Sequence, residues 1–164
     1  MLIPVAASLY EFILAVHVMA VVAAFGVTFA YPIMFMVAAK HQPAAIPLLH
    51  RIEYTVARML INPLLLVVVA AGIYLASDGH HWSEFFVQWG LGAVIVIGAV
   101  VGAVLIPASK KAEEVATRDL AAATGSEPVS MSAEYRALVR RITLFGSLAS
   151  ALVLLTILFM VIQP

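Results

Sequence analysis

The first hydrophobic stretch of the chain decides the fold: residues 12–39 read FILAVHVMAVVAAFGVTFAYPIMFMVAA and carry no formal charge. About 20 apolar residues cross the hydrocarbon core as a helix, and this run has 28. Three further uncharged runs, of 19, 25 and 23 residues, lie at 59–77, 85–109 and 142–164. Because backbone that faces lipid must be hydrogen-bonded internally, and the runs lack the alternation of barrel strands, we predict helices. The expected fold is all-α: a polytopic membrane protein built as an antiparallel bundle of four transmembrane helices.

The composition agrees with this class of protein. With 64% hydrophobic and 11% charged residues, the chain is too apolar for a water-soluble globule. Its length predicts a single transmembrane domain over 1–164. The absence of cysteine excludes disulfides, thiolate metal sites and covalent attachment of c-type haem. The four helices are expected roughly at 6–39, 48–77, 83–115 and 133–162.

The distribution of basic residues predicts the orientation in the membrane. Nine Lys and Arg balance nine Asp and Glu, and all nine basic residues lie between helices one and two or between helices three and four. Since basic loops stay in the cytoplasm, both of these connections are expected there. Both termini and the short turn between helices two and three are then expected outside.

One face of the first helix carries a stripe of polar side chains. Tyr10, His17, Thr28 and Tyr31 fall within about 60° of one another on an ideal helix. Such a stripe is costly against lipid, so we expect it to face the other three helices. Pro32 cannot donate a backbone hydrogen bond, which predicts a kink beside Tyr31.

His17 is the strongest candidate for a functional side chain. A neutral imidazole is a common metal and haem ligand, and ionisable groups inside a membrane usually serve function, so His17 is a candidate haem ligand, metal ligand or proton carrier. Tyr10, Thr28 and Tyr31 would then line the cofactor pocket. The alternative is a neutral histidine that is hydrogen-bonded across helices, to Ser147, Ser150 or a backbone carbonyl.

Arg58 and Asn62, at the start of the second hydrophobic run, form a second candidate site. A guanidinium binds carboxylates in a bidentate manner, so the pair is suited to a lipid headgroup, a haem propionate or a substrate carboxylate. The alternative is an arginine that extends to the membrane surface and enforces topology. On helix rise, Arg58 lies some 20 Å or more from His17 along the membrane normal, too far for both to bind one haem.

The turn between helices two and three contains two adjacent histidines. His80 and His81 would need Asp78 or Glu84 to complete a metal site, and without a third fixed ligand a surface turn is the simpler interpretation. The chain has no phosphate-binding glycine loop, no Walker lysine and no basic patch beyond the topology signal. We therefore expect neither a nucleotide nor a nucleic acid as a partner.

Small residues in the third hydrophobic run predict close helix packing. Gly98 and Gly102 have the spacing that lets two helix backbones approach each other. We expect both to lie against a neighbouring helix. A homo-oligomer or another membrane protein would be a partner through this face, in addition to the lipid bilayer.

Several short motifs together resemble a known family. They are Leu14-Ala15-Val16-His17, Arg58 with Asn62-Pro63, Ala71-Gly72-Ile73, Leu105-Ile106-Pro107 with Lys110-Lys111, and Met160-Val161-Ile162-Gln163-Pro164. The chain resembles a bacterial family of predicted four-helix integral membrane proteins, classified as a domain of unknown function. This resemblance implies a multi-pass protein of the bacterial inner (cytoplasmic) membrane. More remotely, the histidine-then-proline first hairpin is similar to membrane protoporphyrinogen oxidases, which bind haem, and to copper-resistance membrane proteins, through His17 and loosely through Arg58 with Pro63.

Three functions of different classes are compatible with these observations. The first is a haem- or porphyrin-linked membrane redox protein with His17 as the ligand. The second is a non-catalytic membrane subunit or assembly factor that packs against a partner. The third is a carrier of small solutes or metal ions, for which one intramembrane histidine offers little support.

Overall fold

The computed structural model describes residues 8–122 and 130–163, which contain helices and no strands. Four long helices each have a stretch that is long and apolar enough to cross a membrane. The predicted all-α four-helix bundle is therefore confirmed. The four helices span Leu9–His41, Pro43–Asp78, Phe85–Ala122 and Ala133–Ile162.

The bundle has two chemically different ends. We call the end that carries all nine Lys and Arg, in residues 40–58 and 110–141, the basic end. The opposite end, where Gly79–Glu84 joins the second helix to the third, is the turn end. The first helix begins and the fourth helix ends at the turn end as well. Consecutive helices are therefore antiparallel.

At the basic end the second and third helices extend beyond their expected bounds. The second begins at Pro43 and the third continues to Ala122. The extension Ile106–Ala122 is amphipathic and packs on Ile46–Val56 of the second helix. The small side chains Ala112 and Ala116 are fully buried in this contact. Burial of this apolar face explains why the helices continue past the membrane-spanning part.

The first helix is interrupted near its middle, as the proline predicted. It consists of an α-helix over Leu9–Phe25, a 3₁₀ turn over Gly26–Phe29 and a second α-helix over Tyr31–His41. Pro32 lies in the first turn of that second segment. There its missing N–H removes no helical hydrogen bond, because the first residues of a helix have no partner for theirs. The α-helix is thus interrupted beside Tyr31, where the kink was predicted.

Prolines also accompany local widening of the second and third helices. A π-helical turn over Ala57–Ile61 precedes Pro63, and another over Val101–Leu105 precedes Pro107. A proline ring crowds the carbonyl four residues earlier, and a wider turn relieves that contact. Single π-turns of this kind are frequent at functional sites in helices.

The three irregular segments meet in the middle of the bundle. Phe25 of the first helix, Ala57 and Ile61 of the second and Val101 of the third belong to one buried apolar cluster. Val153 of the fourth helix completes it. The cluster separates the polar groups of the basic end from those of the turn end.

The two glycines of the predicted packing motif have different surroundings. A Cβ at Gly98 would lie 3.5 Å from Leu65 Cδ2, so this glycine packs against the second helix as expected. Gly102 is exposed, and a Cβ there would meet no atom within 4 Å. The expectation that Gly102 packs against a neighbouring helix of the same chain is therefore wrong. Gly102 lies in the π-turn Val101–Leu105, which rotates its face away from the second helix.

Candidate functional site

A cavity of about 490 Å³ opens between the helices at the turn end. All four transmembrane helices contribute to its lining, which is mainly Val, Leu, Ile, Phe and Ala. Among the residues that the structure describes, no Asp, Glu, Lys or Arg lines it. Its volume lies within the roughly 300–1,000 Å³ of small-molecule sites. The polar lining residues are Tyr10, His17, His81, Trp82, Thr156 and Gln163.

His17 lies on the wall of this cavity with one ring nitrogen bonded. Its Nδ1 is 3.0 Å from the backbone carbonyl oxygen of Val68 in the second helix. A carbonyl only accepts, so Nδ1 carries the hydrogen and donates it. In the neutral ring the lone pair then remains on Nε2, which is the arrangement of a histidine metal ligand whose other nitrogen is held by a carbonyl.

The hydrogen bond of His17 also matches the alternative interpretation of this residue. A neutral histidine bonded across helices to a backbone carbonyl is what the Val68 contact provides. The two interpretations do not exclude each other, because a second-shell carbonyl fixes the orientation of a ligand as well as the packing of two helices.

Gly72, one helical turn beyond Val68, makes room for the imidazole. A Cβ at this position would lie 3.4 Å from His17 Cε1 and 3.7 Å from Nδ1. Alanine would just fit, whereas any longer side chain would compete with the ring for space. The Ala71-Gly72 pair of the sequence thus has a structural role at the candidate site.

His81 reaches the same cavity from the turn, which the sequence interpretation did not predict. His80 adopts a left-handed conformation (φ 56°), and the N–H of His81 donates to the carbonyl of Ala76 at 2.9 Å. Because of this backbone conformation at the end of the second helix, the side chains of His80 and His81 point in different directions. The ring of His81 is half-buried among the cavity residues, 5.9 Å from that of Phe86 between centroids, whereas His80 is exposed.

The turn does not bring together a metal site in the described part of the chain. No group of three His, Asp or Glu side chains there has the arrangement of a metal site. His80 Nδ1 instead lies 3.1 Å from the carbonyl oxygen of Asp78 in its own turn. The interpretation as a surface turn therefore accounts for His80, and His81 belongs to the cavity.

The polar stripe of the first helix is divided between two regions. Tyr10 and His17 line the cavity together, as expected. The hydroxyl of Thr28 donates to the carbonyl of Phe25 in its own helix at 2.7 Å. The hydroxyl of Tyr31 is buried without a partner among the described residues, outside the cavity.

Distance along the helix explains this division. Thr28 and Tyr31 lie 11 and 14 residues beyond His17, which is about 16 and 21 Å of rise, and the part of the first helix that lines the cavity ends at Phe25. Arg58 and Asn62, the other predicted pair, are exposed and also lie outside the cavity lining. Of the six predicted site residues, only Tyr10 and His17 line the cavity.

Aromatic side chains fix the third helix to the fourth beside the cavity. The indole N–H of Trp89 donates to the hydroxyl of Thr156 at 3.1 Å, and that hydroxyl donates to the carbonyl of Leu152. The rings of Phe85 and Trp89 both pack edge-on against Phe159, with centroid distances of 5.4 and 5.0 Å. This wall of the cavity is thereby held in place.

A second polar cluster lies at the basic end, and the sequence interpretation missed it. His50 is 2% exposed; its Nδ1 is 3.3 Å from the Glu53 carboxylate and its Nε2 is 3.0 Å from the Tyr135 hydroxyl. The hydroxyl of Ser109, itself 1% exposed, donates to the same carboxylate at 2.9 Å. We call these four residues the basic-end network. It joins the second, third and fourth helices.

The sequence contained a signal for this network. Ile46, His50, Glu53 and Ala57 recur at intervals of three and four, so they share one helical face with apolar residues at both ends. A histidine and a carboxylate on such a face predict a buried polar pair. The surrounding Arg51 and exposed Leu48 obscured the pattern.

No protein-family model, curated protein or solved structure matches this chain. Its function must therefore be inferred from the two polar regions. The basic-end network is buried and its groups bond to one another, which suits a structural role. The cavity at the turn end leaves space beside His17 and is the better candidate for binding a ligand.

Proposed function

We propose that the chain is a membrane redox protein that binds haem, or a related porphyrin, between its helices with His17 as the axial ligand. The observation that carries this proposal is the imidazole on the cavity wall whose Nδ1 is held by the carbonyl of Val68. When bound, haem supplies one-electron chemistry at its iron. The protein supplies the ligand, the orientation and an apolar environment.

The lining of the cavity fits a porphyrin. Its walls are apolar, as the face of a macrocycle requires, and Phe25, Phe86 and Trp82 supply aromatic surface. The Nδ1 bond keeps the ring of His17 oriented, and Nε2, which has no hydrogen bond within the described residues, would be the ligand atom. The resemblance to haem-binding membrane oxidases points in the same direction.

We further propose that the basic end faces the cytoplasm of a bacterial cell and that the cavity lies in the outer half of the membrane. All nine Lys and Arg at one end support this orientation. Reporter fusions test it: a fusion at Gly79 is expected to report export, and one near Gly125 is expected to report the cytoplasm. The opposite pair of results would contradict the orientation.

A second function is favoured by the exposed small residues of the third helix. No atom lies within 4 Å of a Cβ at Gly92 or Gly102, so both glycines face outward from this chain. Such positions permit close approach of another helix, from a second copy or a different membrane protein. A non-catalytic subunit or assembly factor would use this face. A carrier has less support, since no carboxylate lines the cavity among the described residues.

An absorption spectrum tests the first proposal directly. Protein purified in detergent and supplied with haem is expected to show a Soret band that His17→Ala abolishes. The matched control is His41→Ala, since His41 is exposed at the basic end, away from the cavity. Circular dichroism checks that the variants remain helical. A wild-type protein that binds no haem would contradict the proposal.

A further inference from the structure

The cavity contains one half-buried polar ring to which the proposed function assigns no role. His81 lies at the mouth of the cavity, where the turn Gly79–Glu84 meets the second helix. A Cβ at Gly79 would overlap the ring of His81, so the glycine is needed for the ring to lie where it does. The left-handed backbone of His80 and the bond from His81 N–H to the Ala76 carbonyl hold the turn in this shape.

We propose that His81 binds the carboxylate end of the ligand whose apolar body fills the cavity. In the terms of the proposed function, on which this inference rests, the ligand is a porphyrin that carries carboxylate side chains. His81 donates an N–H hydrogen bond to a carboxylate, and His17 binds the metal. Arg58 and Asn62, which suited this role in the sequence, lie outside the cavity.

The depths of the two histidines support different roles for them. The ring of His17 packs on Gly72 and that of His81 on Gly79. Seven residues separate these glycines on one helix, which is about 10 Å of rise. The carboxylates of a porphyrin hang from the edge of the macrocycle, away from the metal at its centre. A group that binds them must therefore lie farther along the cavity than the axial ligand, as His81 does.

The chemistry of the cavity mouth fits an anionic group. A carboxylate that enters a purely apolar cavity loses its hydration without compensation, which is costly. At the mouth the carboxylate would lie beside the turn Gly79–Glu84, at the ends of the membrane-crossing helices, where hydration is retained. Tyr10, His81, Trp82 and Gln163 are the side chains there that can donate hydrogen bonds. Of these, His81 has the ring most fixed by its surroundings, between Gly79 and Phe86.

A pair of matched ligands tests this assignment. Binding of haem and of its dimethyl ester, which lacks the carboxylate charge, is measured by spectroscopic titration in detergent. We expect the wild type to bind free haem about tenfold to a hundredfold more tightly than the ester, the range for a hydrogen bond to a charged group. His81→Ala should remove this preference and keep the Soret band. His80→Gly, which removes the adjacent exposed imidazole and tolerates the left-handed backbone, should retain the preference.

A third variant separates loss of the hydrogen bond from damage to the turn. His81→Gln keeps an N–H donor and is expected to retain part of the preference for free haem. Equal weakening of both ligands in His81→Ala would overturn the inference, since His81 would then only pack against the macrocycle. A change of spin state in that variant would also overturn it, because His81 would then be a ligand of the metal.

The failure of this inference is distinguishable from that of the proposed function. A wild type that binds haem and its ester equally well would overturn the role of His81 and leave His17 as the axial ligand. A wild type that binds neither compound would overturn both. Loss of the preference in His80→Gly but not in His81→Ala would assign the carboxylate to the other histidine and overturn the inference.

Discussion

The two ends of the bundle accommodate buried histidine in opposite ways. At the basic end both ring nitrogens of His50 are bonded, to Glu53 and to Tyr135, and the ring is 2% exposed. At the turn end His17 uses one nitrogen, for the carbonyl of Val68, and lies beside a cavity of about 490 Å³. A buried histidine whose two ring nitrogens are both hydrogen-bonded has a structural role, whereas one with a nitrogen left over is a candidate ligand. Burial alone does not distinguish the two.

The difference extends to how the helices are connected. Side-chain hydrogen bonds join three helices at the basic end, and the exposed guanidinium of Arg51 adds an ion pair with Glu113. At the turn end, the hydrogen bonds between helices within the described residues are those of His17 with Val68 and of Trp89 with Thr156, and the other contacts are apolar. We infer that the basic end provides most of the specific helix pairing. The turn end can then leave space for a ligand.

The largest effect on stability is expected from His50→Ala. The substitution leaves the carboxylate of Glu53 and the hydroxyl of Tyr135 without their imidazole partner and creates a void beside Phe35, whose ring lies 4.5 Å from that of His50. The expected loss is about 3 kcal/mol or more in the free energy of unfolding. Unfolding in detergent measures it, with His41→Ala as the exposed control. Equal stability of the two variants would show that the network does not hold the helices together.

A smaller loss of stability, confined to the surroundings of His17, is expected from Gly72→Leu. The leucine side chain would occupy the space of the His17 ring, break the bond to Val68 and cost about 1–3 kcal/mol. Haem binding should be lost together with the hydrogen bond between His17 and Val68. Gly102→Leu is the matched control, since a Cβ there meets no atom within 4 Å and stability in detergent should not change. If Gly102→Leu were the more harmful of the two, the exposed face of the third helix would be packed against a partner even in detergent.

The sequence predicted the parts of the fold that depend on composition and local geometry. Four uncharged runs were enough for four helices, because lipid leaves the backbone no alternative. An interruption of the first helix near Pro32 was predictable because proline does not fit inside a regular α-helix, and the structure starts a new helical segment there with Pro32 in its first turn. The ends of the helices were less predictable, since the extension of the third helix to Ala122 depends on an apolar face that is buried only after it packs on Ile46–Val56.

The candidate site was predictable only in part, for reasons of geometry. His17 and Tyr10 were placed together correctly because they lie seven residues apart on one regular helix. Thr28 and Tyr31 share that face on an ideal helix but lie past the cavity, whose lining on the first helix ends at Phe25, and the angles alone do not show how far along the helix a cavity extends. The position of His81 depends on a left-handed backbone at His80, a conformation that few residues other than glycine adopt, although histidine adopts it more often than most.

A moderate effect is expected from Trp89→Phe, which tests how firmly the turn end is connected. Phenylalanine keeps the aromatic contact with Phe159 and removes the hydrogen bond to Thr156, so about 1 kcal/mol should be lost. Thr156→Val should cost a similar amount, and the double variant little more than either single one. Strictly additive losses in this cycle would mean that the two residues do not interact.

The smallest effect on stability is expected from Thr28→Val. This variant tests whether Thr28 lies outside the ligand-binding cavity. The hydroxyl of Thr28 donates to the carbonyl of Phe25 within its own helix, and such local bonds contribute little to helix stability. Valine has nearly the same shape, so the free energy of unfolding should change by less than about 0.5 kcal/mol. Haem affinity should not change either, because Thr28 lies outside the cavity lining. A weakened Soret band in this variant, with Tyr10→Phe as the comparison inside the cavity, would mean that the ligand extends past Phe25 toward the basic end.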